Sequence, residues 1–235
     1  MHPSLVFGLR SEAVARAIIA SGAYLINEDI YDKDKFFTWK SGIEAPVYTD
    51  CRVLNRNPGA REIVKKSLGD SIRQNYPDAE YIIGIAEAGV VWSAYAADEA
   101  SLPHGFVRKQ PKKHGRGQKL VECDPPEGVK AVIVDDLVGS GGSVLKAVNA
   151  LIEEKNIQVI GVQSIVNWNF EGMRNSFNEH NITCRCLVSY PQLLEEALRE
   201  KIITREMKSI LTSFYQDPRN HVWEDRNQHL RVKVS

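Results

Sequence analysis

The stretch from Ala131 to Ser143 carries the densest chemistry in the chain: four apolar residues run into two acids, Asp135 and Asp136, and then into a turn, Gly139-Ser140-Gly141-Gly142-Ser143, made only of small residues. A strand that enters such a turn and continues as a helix gathers unpaired backbone N–H groups at the helix start, where they close around an anion such as phosphate. Two adjacent carboxylates would repel that phosphate. Their useful role is to accept hydrogen bonds from nearby sugar hydroxyls, so a sugar phosphate meets both requirements. The competing reading is a plain strand-to-helix turn, with an acid capping the helix and the glycines permitting tight backbone angles. The glycine spacing does not fit a dinucleotide fingerprint, and a Walker loop would need a Lys after the last glycine.

A second stretch, Phe106 to Lys119, concentrates cationic groups: Arg108, Lys109, Lys112, Lys113, Arg116 and Lys119, with His114 beside Gly115 and Gly117. Lys109 to Gly128 makes about 20 residues before the next apolar run, and connections that long inside compact domains are lids or disordered segments. A mobile cationic lid is the physical reading, and a solvated charged loop is the alternative. Nucleic-acid binding fits less well, because among Arg108 to Lys119 only His114 has a ring, so stacking platforms are missing.

These segments need a scaffold, and the apolar pattern supplies one. Ser11 to Ser21 has helical spacing and stops at Gly22. Phe36 to Arg52 is interrupted by Ser41-Gly42 and Pro46, as a hairpin or extended arm would be, and Ala60 to Asn75 returns to helical spacing. Short apolar runs then alternate with helices: Tyr81 to Ile85, a helix near Val90 to Ala100, Gly105 to Val107, Ala131 to Val134, a helix near Val144 to Lys155, Val159 to Val162, and Cys186 to Val188. Such alternation predicts an α/β fold with a mostly parallel sheet covered on both faces. The expected organisation is a helix and small arm over 1–58, an α/β core over 59–222 and a polar tail over 223–235.

At 235 residues the chain can bury a sizeable core, and its 30 basic and 30 acidic residues cancel, so no global field draws it to nucleic acid or an anionic membrane. Four scattered cysteines, Cys51, Cys123, Cys184 and Cys186, form no C-x-x-C pair and suit a reducing cytosol. Cys184 and Cys186 share one strand face and are read as core residues rather than metal ligands. The start has no signal-peptide pattern, and no run approaches the roughly 18 apolar residues of a membrane helix. His221 and His229 fall in the polar tail, and Glu195-Glu196 is read as an exposed helix face. Trp168 and Phe170 are left open between stacking on a ligand and packing in the core.

The acidic pair and its loop resemble the 5-phosphoribosyl 1-pyrophosphate (PRPP) motif of type I phosphoribosyltransferases, and the resemblance implies that family's fold. By it, Asp135 and Asp136 hold the ribose 2′ and 3′ hydroxyls, while Ser140, Gly141, Gly142 and Ser143 bind the 5′-phosphate. Arg108 to Gly117 is similar to the catalytic loop of orotate phosphoribosyltransferases. That likeness makes Lys112 and His114, with Asp136, the catalytic groups, and has Arg108 and Lys109 contact pyrophosphate. Phe37 to Gly42 and Pro46 to Arg52 resemble the amino-terminal arm, with Lys40, Tyr48 and Gly139 placed near the base. Gly84 to Val90 matches the pyrophosphate-facing turn, and Asp217-Pro218 with Trp223 resembles the ending of some bacterial members.

The resemblance implies transfer of ribose 5-phosphate to orotate in pyrimidine (UMP) biosynthesis, with Mg²⁺ carried by PRPP rather than held in a protein metal site. It also implies a cytoplasmic homodimer sharing the catalytic loop between subunits, with no nucleic-acid or membrane partner. Three positions depart from the pattern: Gly139 lacks a hydroxyl, Glu87 puts a carboxylate in the pyrophosphate turn, and Asn167 to Phe170 lacks an Arg. Transfer to another base, or PRPP sensing without catalysis, therefore stays open at this point.

Overall fold

The computed structural model describes residues 3–27, 29–30, 32–111, 119–168 and 170–219. Helix α1 (Pro3–Ala20) is followed by the short strands β1 (Tyr24–Ile26), β2 (Phe37–Thr38), β3 (Glu44–Ala45) and β4 (Val47–Thr49). Then come α2 (Pro58–Asn75), β5 (Tyr81–Ile85), α3 (Ala88–Ala100), β6 (His104–Val107), β7 (Val121–Glu122), β8 (Lys130–Val138) and α4 (Gly142–Lys155). The chain continues through β9 (Gln158–Asn167), α5 (Glu171–Glu179), β10 (Cys184–Ser189), α6 (Tyr190–Arg199) and α7 (Arg205–Gln216).

The central sheet has the order β10-β9-β8-β5-β6-β7 and is parallel except at β7, which runs against β6. The expected α/β class with a mostly parallel sheet is what the chain forms. Runs of Val and Ile in β5 and β8 are buried on both faces, as parallel strands between helices require. Alternate residues serve alternate cores. Ile82, Val132 and Val134 pack with Val64, Leu68 and Trp92 of α2 and α3, whereas Ile83, Ile85 and Ile133 pack with Val144 and Leu151 of α4 and Phe177 of α5.

Two departures from the periodicity have clear causes. Strand β9 runs on past Val162 because its polar residues Gln163 and Ser164 are buried and satisfied: Ser71 donates to Gln163 Oε1 at 2.7 Å, and Gln163 donates to the Ser164 carbonyl at 3.0 Å. The long connection after Lys109 is shortened by β7, whose two residues pair with Phe106 and Val107.

The amino-terminal elements share the main core. Val14 and Ile18 of α1, Val47 of β4 and Leu54 belong to the same buried cluster as Val132 and Ile165. One polar link reinforces them. Glu196, only 2% exposed, accepts from Arg16 Nε at 3.0 Å and from Arg199 at 2.8 Å, which joins α1 to α6. The expectation of an exposed Glu195-Glu196 face is thus half corrected: Glu195 is on the outside, while Glu196 is turned inward by the arginine of a distant helix. Hydrogen bonds to charged groups contribute about 1.5–3 kcal/mol each. Glu196→Ala is expected to lower the thermal unfolding midpoint by several degrees in calorimetry, with Arg16→Ala giving a smaller loss because that guanidinium is largely hydrated. Among the described residues, no helix is long and apolar enough to cross a membrane.

Candidate active site

The tip of β8 delivers Asp135, Asp136 and the small-residue turn to the carboxyl edge of the sheet, where ligands of open α/β sheets collect. Gly141 takes a left-handed backbone (φ 80°) at the start of α4, and a Cβ there would lie 2.6 Å from Phe177 Cε1, so both conformation and packing call for glycine. No side chain caps α4, and Ser140, Gly142 and Ser143 are exposed. The amides of the first helical turn are therefore presented toward solvent as an anion cup.

Asp135 is 7% exposed and accepts from the Asp136 amide at 3.0 Å. It lies beneath the start of α3: a Cβ at Gly89 would sit 2.8 Å from Asp135 Oδ1, so glycine there lets the helix start close over the carboxyl. Burial, and then the negative charge of Asp136, push Asp135 well above the usual carboxylate range, while Lys109 draws it down. Burial also raises Asp136. The Asp136 carbonyl accepts from the buried Cys51 thiol at 3.8 Å, which ties it to the 51–56 turn. Two carboxyls that resist ionisation gain when hydroxyl donors and a cation arrive.

Two cavities flank this tip. One, of about 220 Å³, is lined by the base-side candidates Lys40, Tyr48 and Gly139, by Ser140, Gly141 and Ser143 of the cup, and by Trp39, Ser41, Thr49, Leu137 and Trp168. The other, of about 520 Å³, holds Arg108 and Lys109 and meets the first at Lys40 and Ser143. Asp135 and Asp136 line neither. Arg108 is engaged by Glu122 at 2.5 Å. Lys112 and His114 lie outside the described residues. Glu87 is exposed, follows a cis peptide bond from Ala86, and lines neither cavity.

Among the described residues no three His, Cys, Asp or Glu side chains gather to hold a metal. The oxygen donors of the acidic pair suit a hard divalent cation that arrives with most of its ligands already supplied by substrate phosphates.

Residues 53–184 match the model for the phosphoribosyl transferase domain. The orotate phosphoribosyltransferase of Cutibacterium acnes is 35% identical over 192 residues, 82% of this chain and 87% of that protein. The chain belongs to the orotate phosphoribosyltransferase family. Among solved structures of the family, the orotate phosphoribosyltransferase of Aeropyrum pernix aligns with a TM-score of 0.66 at 27% identity, covering 78% of this chain and 97% of that one. The Leishmania donovani UMP synthase aligns with a TM-score of 0.73 at 22% identity, covering 87% of this chain and 42% of that one, and is a likeness of fold.

Within this family member, three lining residues escaped the sequence reading as site candidates: Trp39, Thr49 and Leu137. Trp39 packs against Trp168 with ring centroids 4.4 Å apart and planes tilted by 58°, and it donates from its indole to the Val47 carbonyl at 2.9 Å. Trp168, only 1% exposed, packs in the core, stacking on Tyr190 with centroids 4.0 Å apart, and its edge also lines the cavity. Thr49 carries a buried hydroxyl with no hydrogen-bond partner among the described residues. Strand alternation in β4 buries Val47 and Thr49 and leaves Tyr48 half-buried, yet Tyr48 and Thr49 both line the cavity, so alternation alone did not single out Thr49. At Gly139 an added Cβ would meet open space, so the missing hydroxyl widens the cavity rather than relieving a clash.

Proposed function

We propose that the chain is a transferase that moves ribose 5-phosphate from PRPP to orotate, giving orotidine 5′-phosphate and pyrophosphate for pyrimidine biosynthesis. The observation that carries this reading is the meeting of three features: an uncapped helix start, a carboxyl pair just before it on the same strand tip, and an aromatic-walled cavity that holds Lys40 and opens onto the helix start. The 5′-phosphate takes the amides of Ser140 to Ser143. The ribose 2′ and 3′ hydroxyls donate to Asp135 and Asp136, which also stabilises the anionic form of those carboxyls. The planar base enters between Trp39, Trp168 and Tyr48, with its carboxylate toward Lys40.

Mg²⁺ travels with PRPP and screens the charge of its pyrophosphate. Loosening of the C1–O bond leaves positive charge on the ribose ring and negative charge on the leaving pyrophosphate, which Lys109, Lys112 and His114 offset; a ring nitrogen of the base then bonds to C1 as its proton passes to the departing pyrophosphate. Orientation and preorganised charge supply the acceleration, with no covalent enzyme intermediate. The enzyme works as a cytoplasmic homodimer whose basic loop serves the neighbouring subunit.

Gly139 and the absence of an Arg over Asn167 to Phe170 favour one rival, transfer to another base. Purified enzyme with PRPP and Mg²⁺ is expected to consume orotate, followed by its ultraviolet absorbance, and to leave uracil and adenine untouched. Turnover of uracil or a purine without orotate consumption would establish the rival.

A further inference from the structure

We propose that Glu154 is a positioning residue that fixes where the basic loop rejoins the core, an assignment that rests on the reading of that loop as the carrier of Lys112 and His114. Its two carboxylate oxygens are each used once: Oε1 accepts from the Leu120 amide at 2.8 Å and Oε2 from the Val121 amide at 3.1 Å. These are consecutive amides at the entry to β7, the two-residue edge strand. Across from them Arg108 donates its amide to the Leu120 carbonyl at 2.9 Å, and its guanidinium meets Glu122 at 2.5 Å. Both ends of the loop are thereby brought to one point. The carboxylate of Glu154 attaches that point to α4, in addition to the pairing of β7 with β6 and the burial of Val121.

Helix stability does not account for this acid. Glu154 sits in the last turn of α4, where the helix dipole disfavours negative charge. Its neighbour Lys155 pairs with Asp124, so two adjacent side chains hold the segment that leaves the loop. The same helix begins at the phosphate cup. Its 14 residues form a rod about 21 Å long that ties the loop's exit to the anion site. A carboxylate can accept from both amides, whereas an amide side chain offers only one acceptor oxygen.

The test is a coupling measurement. Glu154→Ala is expected to lower kcat about 10-fold to 100-fold with the KM for the base unchanged, as a misplaced loop would. Glu154→Gln is expected to fall between Glu154→Ala and the native enzyme. In a Lys112→Ala, His114→Ala background the Glu154→Ala change is expected to add nothing, because both loop groups that it would position are already gone. Independent, additive losses, or an unchanged kcat in the native background, overturn the proposal. Hydrogen exchange at the Leu120 and Val121 amides reads the clamp without any turnover: faster exchange in Glu154→Ala supports it and unchanged exchange overturns it. An enzyme that consumes no orotate would sink the functional reading, while the exchange result would still decide on the clamp.

Discussion

Asp135→Asn is expected to lose activity and gain stability at once. The carboxylate would accept a charge-assisted hydrogen bond from the ribose, contributing about 1.5–3 kcal/mol, so kcat/KM for PRPP should fall about 10-fold to 10²-fold. In the unliganded protein the same group is buried beside Asp136, and its carboxyl holds a proton more tightly than it does in the unfolded chain. A carboxyl raised in the folded state costs stability once pH exceeds its unfolded value near 3.8, and the cost grows until the folded group has also ionised. The variant, which cannot ionise, escapes that cost. Its stability advantage should be absent below pH 3.8, appear as pH rises through the raised range, and level off above it. At neutral pH each kcal/mol of advantage would read as about 2–4 °C in the unfolding midpoint. Thermal melts of both proteins across pH, with steady-state kinetics beside them, check both halves. A variant less stable than the parent at neutral pH would show that Asp135 has a structural partner not accounted for.

The second large effect concerns the basic loop. Lys112→Ala is expected to reduce kcat by about 10²-fold to 10³-fold, the usual cost of removing one preorganised group that faces developing charge. The KM for the base and the unfolding midpoint should barely move, since the cavity proposed for the base is lined by Lys40, Tyr48, Gly139 and the aromatic walls. Steady-state rates with saturating PRPP, together with a melt, check this. Unchanged turnover would remove the loop from the chemistry and revive the reading of a protein that senses PRPP without acting on it.

What the sequence revealed depended on whether a residue's role was set by its neighbours in the chain or by distant ones. Strand β8, the acidic pair and the turn through Ser143 form one continuous segment whose pattern is local, so both fold class and candidate site could be read there. Lys40, Tyr48 and Gly139 come from separate segments, yet the structure brings all three to one cavity. Gln163 and Ser164 hid the second half of β9 because their burial depends on Ser71, far away in α2. Glu196 looked like solvent-facing charge because Arg16, its partner, lies 180 residues earlier. The depth of Asp135 under Gly89, and the Glu154 clamp on Leu120 and Val121, likewise exist only once helices have packed on the sheet. The two tryptophans were ambiguous because a ring that lines a cavity and a ring that fills a core have the same composition.

The placement of the sugar phosphate is tested most directly by a crystal structure of the enzyme with PRPP and Mg²⁺. The ribose 2′ and 3′ oxygens should lie within about 2.5–3.0 Å of the Asp135 and Asp136 carboxylates, with the 5′-phosphate on the amides of Ser140 to Ser143 and the pyrophosphate turned toward Lys109. Density placing the 5′-phosphate away from that helix start, with both carboxyls still covered and untouched by the ligand, would contradict the assignment of this site.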